Sequence, residues 1–242
     1  MVSEMLRRFI RPLAQFNGLT LQVADPRREL PFWGDALGGR VDWARNLIIP
    51  GPGRPAREVL RLRQTDVLLP VDDARVHVDL RLPGSTPDRL LEAGARVVRA
   101  PGEDPWYVLM DVEDNEFCAF PAADDRPAGI FELVVKTSDA LGSARWWARV
   151  LDGQVIEEGD AAVVVGAPDF PWDYLVFDPV PGVERFRSRM RWDLLCRDRD
   201  VSGFLEIGAT VTAEPEEGMP FWVLADPGGN EFQVICDGVT DG

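Results

Sequence analysis

"DNEFCAF" at 114–120 returns almost intact as "GNEFQVI" at 229–235, and the reading of that repetition decides the fold. Working outward, a shift of 115 aligns "PWYVLMDVEDNEF" (105–117) with "PFWVLADPGGNEF" (220–232). A shift of 114 aligns "FWGDALGGRV" (32–41) with "WWARVLDGQV" (146–155), "HVDL" (77–80) with "RWDL" (191–194), and "EAGARVV" (92–98) with "EIGATVT" (206–212). Blocks that recur in one order at nearly one offset mark a tandem duplication, which has to be recognised before single residues are interpreted. The joint falls near "PAADDRPAG" (121–129), whose Pro, Ala, Asp and Gly read as linker. The expected organisation is an N-terminal arm over 1–17, a first domain over 18–123, a linker over 124–130 and a second domain over 131–238.

Each copy reads as strand, helix, strands, and then the same again. "LTLQV" (19–23) is a strand, and the helix through "PFWGDAL" ends at Gly39 in a left-handed cap. In the second copy Asp139 is the N-cap, Ala140, Ala144, Trp147 and Leu151 recur at helical spacing, and Gly153 closes the turn. "VHVDLRL" (76–82) leads to a helix begun by Ser85 or Thr86, with Pro87 in its first turn and its end near Gly94. "RWDLLC" (191–196) leads to one capped by Asp200 and ended near Gly208. "VVRA", "WYVLMD" and "EFCAF" follow as strands joined by turns, the last turn being "VEDN" in one copy and "DPGGN" in the other.

A chain of 242 residues can hold two domains, each with its own core. Its 45% hydrophobic and 28% charged residues are the composition of a soluble globular protein. The net charge of −15 repels phosphate backbones and anionic lipid, which argues against nucleic acid and membrane surfaces and in favour of a small neutral or cationic ligand. Cys118, Cys196 and Cys236 are an odd number without CxxC spacing, so neither a disulfide framework nor a structural zinc site is expected, and a reducing cytoplasm is the expected location. The start, "MVSEMLRRFIRPLAQF", lacks the apolar core and cleavage site of a signal peptide and reads as an amphipathic arm with Met5, Phe9, Ile10 and Leu13 on one face. The longest uncharged apolar run, "AAVVVGA" (161–167), is far shorter than the roughly 20 residues of a membrane span, so no membrane segment is expected. Twenty-five arginines against the single Lys136 reflect a GC-rich genome, actinobacterial by expectation, and are silent on activity.

Two βαβββ units per copy ending in a turn and strand of the "D-P-x-G-N-E-F" type resemble the vicinal oxygen chelate superfamily, and within it the glyoxalase-like, bleomycin-resistance and dioxygenase members. "FWGDALGG" and "WWARVLDG", "VHVDLRL" and "MRWDLL", and "DVEDNEF" and "DPGGNEF" carry the likeness, which covers nearly the whole chain. It implies an α+β fold of tandem domains, each curling two βαβββ units into a cupped mixed sheet around a cavity with the helices outside. It also implies that the two copies pack as an intramolecular pseudo-dimer, so that a monomer suffices. The superfamily spans enzymes and non-catalytic binding proteins, and the fold alone does not choose between them.

Alternate residues of a strand face opposite sides of the sheet. Val76, Val78, Leu80 and Leu82 should therefore pack under a helix and leave His77, Asp79 and Arg81 in the cavity. Phe117 and Ala119 should do the same and leave Glu116, Cys118 and Phe120. The second copy offers Arg191, Asp193, Glu231 and Gln233 at the matching positions. Metal-dependent relatives, by the same resemblance, place a ligand on the first strand of each unit and a carboxylate three residues after the turn asparagine. His77 falls on one such position, but Cys118 and Gln233 stand where the carboxylate belongs, Leu19 and Leu133 or a neighbouring aliphatic stand near the remaining one, and Arg191 replaces the histidine. Arginine cannot coordinate a metal. No cofactor is therefore expected, the weaker alternative being a divalent metal held by His77, Asp79 and Glu116.

Blander assignments stand beside these. His77 serves equally as a hydrogen-bonded interior residue, Cys118 as an inert buried thiol, and Arg191 with Asp193 and Glu231 as a structural ion-pair network. Trp33, Trp146 and Trp147 read as core and Trp192 as facing its helix, while Trp106, Tyr107, Trp172 and Trp222 can either line a cup for a flat apolar ligand or pack in the core. The expected role is binding of a small organic molecule, with Asp79, Glu116, Asp193 and Glu231 favouring a cationic or hydrogen-bond-donating one. The alternative is a metal-dependent lyase, isomerase or dioxygenase-type enzyme using His77 and carboxylates, and a scaffold without ligand is a third possibility.

Overall fold

The computed structural model describes residues 11–66, 74–123, 126–183 and 188–236. Met5, Phe9 and Ile10 of the expected arm, and Asp124 and Asp125 of the expected linker, lie outside them. The first unit comprises β1 (Ala14–Val23), α1 (Pro26–Ala36), β2 (Arg40–Asp42), β3 (Leu47–Ile49) and β4 (Leu60–Gln64), and the second comprises β5 (Val76–Arg81), α2 (Asp88–Glu92), β6 (Arg96–Arg99), β7 (Tyr107–Met110) and β8 (Glu116–Phe120). The second copy repeats the order with β9 (Gly129–Thr137), α3 (Ala140–Leu151), β10 (Gln154–Glu158), β11 (Ala161–Val165) and β12 (Tyr174–Pro179). Its last unit is β13 (Met190–Cys196), α4 (Ser202–Glu206), β14 (Thr210–Ala213), β15 (Trp222–Ala225) and β16 (Glu231–Ile235). The first strand thus begins at Ala14, inside the stretch expected to be arm.

The two long helices start as their sequences require. Asp25 accepts from the Arg27 amide at 2.9 Å with Pro26 in the first turn, and Asp139 accepts from Gly142 at 2.9 Å. Their ends differ from expectation by one residue each. The left-handed conformation falls on Gly38 (φ 58°) rather than Gly39, and on Asp152 (φ 61°) rather than Gly153. Asp200 likewise caps α4 at one remove: its carboxylate takes the Ser202 amide at 2.9 Å, while Val201 occupies the cap position.

The mixed, cupped α+β architecture is the expected one, but the units are exchanged between copies. Sheet I runs β14-β15-β16-β13-β1-β4-β3-β2 and sheet II runs β10-β11-β12-β9-β5-β8-β7-β6. Each sheet therefore takes one unit from each copy, joined at a central antiparallel pair: β1 with β13, where Thr20 lies opposite Arg191, and β5 with β9, where His77 lies opposite Val134. The expectation that a copy curls its own two units into one cup is corrected on this point. Strand periodicity is the same in either arrangement, so the repeat cannot tell them apart.

What stays within a copy is the core on the helix side. Trp33 on α1 meets Phe117 on β8 edge-on at 5.4 Å, bringing the two sheets together through their helix-covered faces. Trp147 on α3 meets Trp192 on β13 at 4.8 Å and Phe232 on β16 at 4.9 Å. All five rings are essentially inaccessible to solvent. The repeated turn anchors this core. Trp33 Nε1 donates to Asp111 at 3.1 Å and Trp147 Nε1 to Asp226 at 2.8 Å, and each aspartate also receives the backbone and side-chain N–H groups of the turn asparagine, Asn115 or Asn230. The turn needs one left-handed residue, which is Asp114 (φ 63°) in one copy and Gly229 (φ 79°) in the other. That network explains the opening repetition: Asp and Asn build the turn, and the Phe after Glu fills the core. The copies also clasp each other there, Arg189 donating to the Glu113 carbonyl at 2.7 Å and Arg75 to the Gly228 carbonyl.

Candidate functional site

Exchange of units gives two cups, each lined by strands of both copies. In cup II, β5 presents His77, Asp79 and Arg81, and β8 presents Glu116, Cys118 and Phe120. On β9, Leu133 and Val135 are fully buried on the helix side, so Glu132, Val134 and Lys136 face the cup. Asp79 lies opposite both Glu132 and Cys118 in the strand register. The register then slips between Asp79 and Leu80, and the unpaired residue is Phe131. Its ring packs edge-on against Phe120 at 5.1 Å, and the Arg81 guanidinium lies over it at 4.2 Å. Trp106 stacks on Phe120 at 5.0 Å and extends this aromatic cluster.

The floor of cup II holds charge poorly. His77 Nε2 is 3.5 Å from Asp79 Oδ1, and His77 Nδ1 and Asp79 Oδ1 are buried without a hydrogen-bond partner among the described residues. Burial, reinforced by the Lys136 ammonium, pushes the imidazole down to about 3, so it is neutral. Burial, then the neighbouring Glu132 carboxylate, raises Asp79 well above the usual range, and burial raises Glu132 as well. Burial, followed by Asp79 and Glu116, likewise raises the Cys118 thiol, which stays protonated and is a poor nucleophile. Glu116 is spent on Lys136 at 3.2 Å. At the mouth, a cavity of about 540 Å³ is bordered by Arg54, Arg81, Arg126, Phe131, Asp173 and Tyr174. Burial, with the like charge of Arg126, presses Arg81 below its ordinary pKa.

Cup I is built from β1, β4, β13 and β16 and pairs its charges internally. The Thr20 hydroxyl donates to Asp193 at 3.0 Å, and Arg61 Nη1 reaches the same carboxylate at 2.9 Å. Arg191 is paired with Glu231. Burial raises Asp193 to about 6, while Arg61 and Thr20 hold it lower than burial alone would.

The donors of the two cups differ in what they can hold. His77, Asp79 and Cys118 offer one ligand atom each within 4.8 Å of one another. An imidazole, a thiol and a carboxyl with orphaned atoms among them fit a borderline cation such as zinc better than one that wants only oxygen. Thr20, Arg191 and Gln233, with Asp193 committed to Arg61, fit no cation.

A family model described as a glyoxalase-like domain matches residues 18–120 and again 132–235. The chain belongs to the glyoxalase-like family, as a tandem two-domain member of the vicinal oxygen chelate superfamily. Glyoxalase I from Zea mays shares its fold with a TM-score of 0.62 over 93% of each chain at 14% identity, and a variant of that protein does so with 0.63 over 99% and 98% at 13%. A putative dioxygenase from Bacillus subtilis superposes with a TM-score of 0.58 over 93% of this chain and 85% of its own at 12% identity. No curated protein matches it.

In this glyoxalase-like protein the residues expected from the sequence divide by cup. His77, Asp79, Glu116, Cys118 and Trp106 come together in cup II, and Arg191, Asp193, Glu231 and Gln233 in cup I. Tyr107 and Trp222 do not line a cup. They lie opposite Ala119 and Val234, which face the helices, and directly opposed residues share a face, so both pack against the core. Trp172 is buried at the cavity edge, with its Nε1 donating to Glu58 at 3.2 Å. Asp193 pairs with Arg61 rather than with Arg191. Of the residues named for a possible metal, His77 and Asp79 lie beside Cys118, and Glu116 is paired with Lys136. Leu19 and Leu133 are on the helix side, so the first strands contribute Thr20 to cup I and Glu132 and Val134 to cup II. Applying the alternation used for β5 to "FELVVKT" would have found Glu132 and Lys136. Phe131 could not have been found that way, because it reaches the cup through the register slip.

Proposed function

We propose that this protein binds a small organic molecule in cup II, without a metal at the centre used by metal-dependent relatives. The observation that carries this reading is the asymmetry of the cups. Cup I pairs its own charged groups, whereas cup II keeps orphaned polar atoms on its floor, an aromatic cluster and a cavity within the size range of small-molecule sites, about 300–1,000 Å³. Glu116 on Lys136, and Val134 and Cys118 at positions where a ligand oxygen would be expected, support the absence of an oxygen-ligand metal.

The close approach of His77, Asp79 and Cys118 favours a second reading, a metal-dependent lyase, isomerase or dioxygenase-type enzyme. His77, Asp79 and Cys118 would hold the ion, and a divalent cation there would act as a Lewis acid on a substrate oxygen. Elemental analysis of protein purified without chelators separates the two. Less than a tenth of an equivalent of Zn, Ni, Mn or Fe, together with ligand-dependent quenching of tryptophan fluorescence or a raised melting temperature, is the outcome expected of a metal-free binder. A full equivalent that disappears in His77→Ala supports the enzyme.

Because each sheet already contains units from both copies, one chain supplies both cups. The protein should therefore work as a monomer, and a solution mass showing only dimers at nanomolar concentration would contradict this. Free thiols at all three cysteines suit a reducing cytoplasm. Among the described residues no helix is long and apolar enough to cross a membrane.

A further inference from the structure

We infer that the molecule bound in cup II is an organic anion, a carboxylate on a flat apolar body, and that Arg81 at the mouth of the cup receives the carboxylate. This rests on cup II being the binding site. The four carboxylates that pointed to a cationic ligand offer no free negative charge: Asp79 is buried opposite Glu132 and kept protonated, Glu116 is paired with Lys136, Asp193 with Arg61 and Thr20, and Glu231 with Arg191. Cations are what the mouth has to spare.

Three guanidinium groups border the cavity, and they are not equivalent. Arg54 is fully engaged: Nε donates to Glu58 at 2.6 Å, a second bond reaches the other carboxylate oxygen, and further bonds reach the carbonyls of Ala128 at 3.1 Å and Ile130 at 2.6 Å. Its work is to tie the loop after β3 to the start of β9. Arg126 is half exposed and lies 3.6 Å from Asp173, which is equally exposed, so each screens the other in water. Arg81 differs from both. It is only 6% exposed, has no carboxylate within ion-pair distance among the described residues, and makes one long hydrogen bond, from Nη1 to the Pro127 carbonyl at 3.3 Å. Phe131 covers one face of its guanidinium and holds the fork in place.

Asp173 and Glu132 attract Arg81 from beyond ion-pair distance, but a buried guanidinium with most of its donors open still needs an acceptor at hydrogen-bond distance, since unmet buried donors are costly. None of the Arg81 nitrogens is sealed away without a partner, so the open donors reach the cavity. A planar fork held against a ring suits the two oxygens of a carboxylate, which it can engage side by side. Phe131 and Tyr174 border the cavity and provide apolar surface for a flat body behind the carboxylate, with Phe120 packed against Phe131. The duplicated position in cup I, at the shift of 114, is Leu195, so the feature belongs to one cup only.

The test uses the full-length protein and three isosteric probes, naphthalene-2-carboxylate, naphthalene-2-carboxamide and the cationic naphthalene-2-carboxamidine, titrated calorimetrically. The carboxylate should bind about tenfold or more tightly than the amide, as expected for a charge-assisted pair, and the amidine should bind most weakly. In Arg81→Gln the gap between carboxylate and amide should shrink to less than about threefold, and Arg81→Lys, which keeps the charge but not the fork, should retain part of it. Circular dichroism and melting temperature establish that both variants are folded, and Arg81→Lys alone suffices should Arg81→Gln not be. Equal binding of carboxylate and amide, preference for the amidine, or a gap that survives substitution of Arg81 overturns the inference. If the amide or amidine binds and Tyr174→Ala, at the cavity wall, weakens that binding, the cup remains the site and only the anion is refuted. If none of the three probes binds, both readings fail.

Discussion

Cup I and cup II have the same strand order, the same central antiparallel pair and the same offset in sequence, yet they have reached opposite chemical states. In cup I every ionisable side chain on the two central strands has an oppositely charged or hydrogen-bonding neighbour, with Asp193 held by Arg61 and Thr20 and Arg191 by Glu231. In cup II a neutral imidazole, a protonated carboxyl and a protonated thiol share the floor, and a buried arginine faces a cavity. Duplication preserves the backbone because the backbone depends on the turns and the tryptophans, which sit on the other face of the sheets. The cup face is free to diverge, and one copy of it has become self-sufficient while the other has kept unfilled hydrogen-bonding capacity. Unfilled capacity inside a fold is costly, and a ligand is the simplest thing that removes the cost.

The largest expected effects test whether the two skeletons really are equivalent. Trp33→Ala and Trp147→Ala should each destabilise the protein by about 3–5 kcal/mol in urea unfolding, because each removes a fully buried ring and strands the turn aspartate that accepted its N–H. If one substitution proves nearly silent, the copies do not share a load-carrying core.

A middle-sized effect separates the cups by the sign of their pH dependence, measured on chelator-treated protein. The unfolded chain protonates His77 near 6.5 and the folded chain only near 3, so acidification through that window favours unfolding. Asp193 behaves in the opposite sense. Its pKa rises from an ordinary 3.8 to about 6 on folding, so its contribution to stability is lost as pH rises through that range. The stability of the wild type relative to His77→Gln should increase between pH 4 and 6.5, by an amount on the order of 3 kcal/mol. Relative to Asp193→Asn it should decrease between pH 4 and 6, on the order of 2 kcal/mol. Slopes of the same sign would erase the distinction.

The smallest effect concerns the repeated turn. Gly229→Ala should cost about 1 kcal/mol through backbone strain, since the added Cβ meets Arg75 only at an ordinary 3.7 Å. Asp114→Gly should change stability by less than about 1 kcal/mol in either direction. Thermal midpoints of the two variants give the comparison directly, and a larger loss for Asp114→Gly would mean that the Asp114 side chain matters beyond its conformation.

Much of cup II could be read from "VHVDLRL" and "NEFCAF", because alternation along a strand is local and the register of β5 against β8 keeps Asp79 beside Cys118. The same rule, applied where strands carry mixed residues, would have found Glu132 and Lys136. Two kinds of information were not there to be read. Tyr107 and Trp222 are aromatic residues beside polar cup strands, and only their cross-strand partners reveal which face they take. The charge partners were equally hidden, because Lys136 reaches Glu116 and Arg61 reaches Asp193 across strands that are far apart in the chain.

Duplication, the βαβββ rhythm, the turn chemistry and the helix-facing core follow from the sequence alone, since each depends on neighbours a few residues away or on likeness at a fixed offset. Which units share a sheet was decided only in three dimensions, where β1 chose β13 and β5 chose β9. Local patterns are identical for either pairing, and only long-range strand contacts and the clasp of Arg75 and Arg189 on the opposite copy's turns distinguish them. That exchange is also what brings Glu132 and Phe131 of the second copy against Asp79 and Arg81 of the first, and so creates the cup.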